Sequence, residues 1–118
     1  MEPKEFSITP TVRDGCRILI VEGELDELTA PALQEAIAAC PEGLPVIVDL
    51  TGLAFISSAG LHVLLRKRVG GPPAVVCPPG NVARVFEIVQ AQKQILLFDE
   101  LSTATTNLRQ RPHAAPAS

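Results

Sequence analysis

The chain has 118 residues with 10 basic against 13 acidic side chains, a formal net charge of -3, 47% hydrophobic residues and only 3% aromatic. A chain of this length suits one compact domain whose core needs neither disulfides nor metal, and the apolar content is too high for a disordered protein. The lack of Trp and Tyr, and of any basic patch, argues against nucleic-acid binding, which depends on phosphate contacts and aromatic stacking.

The N-terminus carries no apolar signal segment, and stretches such as Ile18 to Val21 are far too short to span a bilayer. The expectation is a soluble, cytoplasmic protein with no membrane insertion. Phe6, Ile8 and Val12 lead into Asp14-Gly15, a hairpin signal, and Ile18 to Val21 is β-rich enough for a buried strand that Gly23 ends. Thr29 is placed to cap a helix with Pro31 in its first turn, and Leu33, Ala36, Ile37 and Cys40 repeat at helical spacing before Pro41 and Gly43. Pro45 to Leu50 reads as a strand buried on both faces, followed by a loop over residues 51–57. A helix is expected from about Ser58, with Leu61, Leu64 and Leu65 inward. Its end carries Arg66, Lys67 and Arg68, where cations suit the helix dipole, ahead of Gly70-Gly71-Pro72-Pro73.

Ala74 to Cys77 reads as a short strand, and Pro78-Pro79-Gly80 as a turn. Asn81 is placed to cap a third helix built on Val82, Val85, Phe86 and Val89. Ile95 to Phe98 predicts a last strand. Leu101 to Arg109 predicts a fourth helix, weakened by Thr103, Thr105 and Thr106. Strands alternating with helices after an initial hairpin imply an α/β domain: a mixed, mostly parallel sheet with an antiparallel N-terminal hairpin and about four helices packed on it. Cys16, Cys40 and Cys77 are distant from one another and form no C-x-x-C pair. They read as free thiols, with no structural metal and no cofactor expected.

Two segments carry more than fold. Gly-Glu-Leu-Asp-Glu-Leu-Thr-Ala occupies residues 23–30, and Val-Asp-Leu-Thr-Gly-Leu-Ala-Phe-Ile-Ser-Ser-Ala-Gly-Leu occupies residues 48–61. In this order and at this separation they resemble the STAS domain of anti-sigma factor antagonists. The likeness extends to about Leu108, implying a STAS domain over residues 1–110 and a disordered tail over 111–118. In that family the serine after an acidic position is phosphorylated by a partner kinase, and Ser58 is the position that matches. Ser57 stands here where the family has the acid, and Ala59 where it has a second small hydroxyl residue. The resemblance implies a partner surface of Asp26, Ser57, Ser58, Ala59, Gly60, Leu61 and His62. The expected partner is an anti-sigma factor that is also an ATP-dependent serine kinase, with a serine phosphatase resetting the cycle.

The residues admit blander readings. A serine before a helix is commonly its cap, Gly60 serves equally for close packing on the chain's own sheet, and Asp26 is suited electrostatically to a helix N-terminus. An enzyme is not expected. His62 lies four residues after Ser58, but Ile56 breaks the G-x-S-x-G pattern, and Gly70-Gly71 lacks the Lys and Ser/Thr of a phosphate loop. A second reading with the same fold is a constitutive docking subunit of a stress-signalling or lipid-transport complex, with no phospho-switch.

Overall fold

The computed structural model of the protein describes residues 4–66 and 71–110. Strand β1 (Ser7–Arg13) turns through Asp14-Gly15 into the long β2 (Cys16–Leu25). Asp14 and Gly15 have φ of 53° and 75°, the left-handed pair that a two-residue hairpin needs. Pairing is antiparallel along all of β1, from Ser7 opposite Glu22 to Arg13 opposite Cys16. β1 is the sheet edge, so Pro10 in its middle removes no ladder bond from the interior.

Every later strand runs parallel to its neighbours. α1 (Ala30–Ala38) leads to β3 (Val46–Asp49), which pairs with β2 on one side and β5 (Ala74–Val76) on the other. α3 (Asn81–Ile88) leads on, through a single 3-10 turn at Ala91–Lys93, to β6 (Leu97–Phe98) beside β5, and α4 (Leu101–Gln110) follows. The main sheet order is β1-β2-β3-β5-β6. All four residues of β3 are buried, as its central place requires.

Alternation along the strands divides the core in two. Leu19, Val21, Val48 and Val75 face one side, where Leu33 and Ile37 of α1, Leu64 of α2 (Ser58–Leu65) and Phe86 of α3 cover them. Cys16, Ile18, Ile47, Ala74 and Val76 face the other side, which α4 covers with Ala104 and Leu108. The three threonines of α4 do not prevent it from forming, because packing on the sheet outweighs their propensity.

Five expectations are corrected. Gly23 does not end its strand, since β2 continues through it to Leu25. Residues 53–56 do not lie in a loop: β4 (Leu53–Ile56) pairs in parallel with the far end of β2, Gly23 to Leu25. Its middle residues Ala54 and Phe55 are exposed, so it lacks the apolar signature of a strand. Asn81 is the first residue of α3 rather than its cap, a place taken by Gly80. The last strand starts at Leu97, and Ile95 belongs instead to the buried approach to it. Helix α2 (Ser58–Leu65) stops before Arg66, whose ψ of 137° is extended, while Lys67, Arg68, Gly70 and the 111–118 tail lie outside the described residues. No helix among the described residues is long and apolar enough to cross a membrane.

Candidate functional site

The two motif segments meet in space at one end of β2. Gly23 has φ of 95° and sits where the register between β2 and β4 shifts. A Cβ there would come within 2.7 Å of the Phe6 backbone, so only glycine permits both the bulge and the close approach. Beyond it, the backbone N–H of Ser57 donates to the Leu25 carbonyl at 2.9 Å. This bond brings the loop at Asp26 alongside the start of α2.

Gly60 completes the join. It is buried, and a Cβ would lie 2.7 Å from Leu25 Cγ and 2.9 Å from Ile56 Cγ1. The first turn of α2 thus rests directly on β2 and β4. Gly60 and Leu61, both expected at the partner surface, are covered by the chain's own residues. Their geometric contribution is to place Ser58, Ala59 and His62.

Ser58 is the first residue of α2 and is exposed. Ser57 holds the cap position in extended backbone, yet its side chain makes no cap bond, and its buried Oγ has no hydrogen-bond partner. Of the two adjacent serines, only Ser58 presents itself to solvent. His62 is also exposed, and among the described residues no hydrogen bond joins it to Ser58.

The Asp26 loop is tied to itself. Asp26 Oδ1 accepts from the backbone N–H groups of Leu28 at 3.0 Å and Thr29 at 3.2 Å. Thr29 Oγ1 accepts from the Asp26 N–H at 2.9 Å and donates to the Glu24 carbonyl at 2.8 Å. Thr29 occupies the cap position of α1, as expected, but its hydroxyl fastens the preceding loop instead of capping the helix. The second motif holds a similar device. Asp49, buried, accepts from the Thr51 N–H at 3.0 Å and its hydroxyl at 2.6 Å, which closes the turn into β4.

Between α1 and α2 runs an open groove of about 480 Å³ that sequence reasoning did not anticipate. Ala30 and Pro31 of α1 and Ala59 and Val63 of α2 form its apolar walls. Glu27, Gln34, Glu35 and His62 provide its polar groups. The signal was present: residues 31, 34 and 35 of α1, like 59, 62 and 63 of α2, follow helical spacing, with Glu27 in the turn that leads into α1. Among the described residues, no group of three or more His, Cys, Asp and Glu is placed to hold a metal ion. The buried Cys77 thiol is pushed up to about 11 by burial and, less so, by Asp99, and Cys16 is raised by burial and Asp14. Among the described residues, none of the three cysteines forms a disulfide.

Known proteins share this arrangement. The family profile for the STAS domain matches residues 7–104. The chain is 33% identical over 111 residues to the anti-sigma-F factor antagonist RsfB of Mycobacterium tuberculosis, covering 87% of this chain and 91% of that protein. It superposes with a TM-score of 0.80 and 28% identity on a crystal structure of an anti-sigma factor antagonist from Mycobacterium paratuberculosis, covering 92% of this chain and 98% of the other. The unphosphorylated form of the antagonist SpoIIAA shares the fold, at a TM-score of 0.65 and 19% identity over 92% of this chain and 99% of its own. A profile match over most of the length, together with a relative at this identity, establishes that the chain belongs to the STAS domain family.

Proposed function

We propose that this chain is an anti-sigma factor antagonist whose unphosphorylated form binds an anti-sigma factor and so frees a sigma factor, and that phosphorylation of Ser58 releases the partner. The observation that carries this reading is the exposed Ser58 on the first turn of α2, beside a serine whose own hydroxyl is buried. Its setting is a fold shared with relatives named as antagonists of this kind. The anti-sigma factor acts as the kinase. It transfers the γ-phosphoryl group of ATP to Ser58 Oγ, ADP departs, and the hydroxyl proton is lost. A separate phosphatase hydrolyses the ester to reset the cycle. The chain supplies the acceptor and the surface, the catalysis belongs to its partners, and the cycle runs in the cytoplasm.

The physics of the site favours such a switch. The free N–H groups of a helix N-terminus tolerate an anion, so a phosphate on Ser58 leaves the fold intact. It places about 1.5 to 2 negative charges on the contact surface. A partner surface that packs on Ser58 and Ala59 would have to strip water from that dianion, and the contact is lost. Phosphorylation thus acts through local desolvation, read out as a broken interface.

The test uses wild-type, Ser58→Ala and Ser58→Glu chains as baits in native extract, with partners identified by mass and then titrated as purified proteins. An anti-sigma factor held by wild type and Ser58→Ala, at least about tenfold more tightly than by Ser58→Glu, is the expected result. Incubation with that partner and ATP should add one phosphoryl mass to wild type and none to Ser58→Ala. The uncharged Ser57, in the place of the family's acid, favours a second reading as a constitutive docking subunit. Equal binding of one partner by all three baits would select it.

A further inference from the structure

We propose that the groove between α1 and α2 receives a basic segment of the anti-sigma factor, with Glu27 and Glu35 as its anchors. This inference rests on the antagonist reading and specifies where and by what chemistry the partner docks. Its first support is charge. Between residues 18 and 65 there is no Lys or Arg, while seven of the thirteen carboxylates fall in that span. All ten Lys and Arg lie outside it. The span includes α1, the Asp26 loop, β4 and α2, so these elements together carry carboxylates and no Lys or Arg, while the rest of the chain has excess positive charge.

The second support is shape. The groove walls are apolar and its polar groups include two exposed carboxylates. An apolar wall beside a carboxylate fits the aliphatic stem and charged head of an arginine or lysine. Among the described residues, neither Glu27 nor Glu35 has an ion-pair partner within the chain. Among the described residues, none therefore competes with an incoming cation. Ala59 and His62 join the groove to Ser58, so a segment seated there continues onto the first turn of α2.

The charge pattern also separates two parts of the interface. A basic partner segment attracts a phosphate on Ser58, so release cannot come from repulsion by that segment. It comes from the bulk and hydration of the phosphate at the first turn of α2. The groove carboxylates govern the salt dependence of binding, and the state of Ser58 governs whether the complex forms.

The experiment titrates the anti-sigma factor recovered with the wild-type bait against wild type, Glu27→Gln/Glu35→Gln, Glu27→Lys/Glu35→Lys and Glu42→Lys, from about 50 to about 200 mM salt. Glu42 is exposed but does not line the groove, and controls for net charge. Charge reversal in the groove should weaken binding about tenfold at low salt and flatten its salt dependence, and neutralisation about threefold, while Glu42→Lys stays within about twofold. The neutral pair keeps the test sound should the reversed pair fold poorly. Groove variants that behave like Glu42→Lys would overturn the proposal and leave the antagonist reading standing. Wild type that retains no anti-sigma factor would overturn both. Groove variants that keep the anti-sigma factor but lose self-association in sedimentation would assign the groove to a second copy, and that also overturns it.

Discussion

Gly60 shows how tightly the position of Ser58 is set. Adding one methyl group would push against Leu25 and Ile56 at under 3 Å. Gly60→Ala should destabilise the protein by about 1–3 kcal/mol, measured by urea unfolding, and lower partner affinity by displacing Ser58. Ala59→Ser, on the half-buried neighbour, should change stability by less than about 0.5 kcal/mol. A second residue-scale effect belongs to Cys77. Its folded pKa of about 11 exceeds the ordinary 9.0, so the neutral thiol is favoured in the folded state. The associated stability is whole below pH 9 and is lost as pH rises through about 11. Unfolding free energy of the reduced protein should fall by on the order of 2 kcal/mol across that window through Cys77, with Cys16 adding to it, and Cys77→Ala should reduce the fall. Asp26 and Ser58 were visible in the sequence because they sit in motifs. The bonds from Asp26 and Asp49 to nearby backbone were not, because a motif does not distinguish a residue that touches a partner from one that ties its own loop.

At the level of elements, legibility followed hydrophobic pattern. β3 and α1 were readable because their apolar residues repeat at the right period and both faces, or one, are buried. β4 was missed because it is four residues long with two exposed in the middle, and it exists through pairing with β2 rather than through its own composition. The end of α2 was overestimated for a related reason. Three successive basic residues continue a helical pattern on paper, yet Arg66 is already extended. α4 makes the converse point, since weak propensity is overcome by burial of Ala104 and Leu108 on the sheet. Ala104 is fully buried there. Ala104→Leu should therefore cost about 1–3 kcal/mol by overpacking, seen as a lower midpoint in urea, without changing affinity for the proposed partner.

For the molecule as a whole, the sheet separates two tasks. α1 and α2 lie on one side with Ser58, the Asp26 loop and the acidic groove, and α4 lies on the other. The architecture was legible early, because alternating strands and helices after a hairpin leave few arrangements. The division of charge was equally present in the sequence but acquires meaning only when α1 and α2 are seen side by side. The solitary helix on the far side has a practical and an evolutionary consequence. Substitutions beneath α4 can raise or lower thermal tolerance while the proposed recognition surface stays under its own selection, because changes at distant sites combine almost additively. A reporter joined at the end of α4 would likewise leave through the back of the protein, so that partner exchange can be watched without being obstructed.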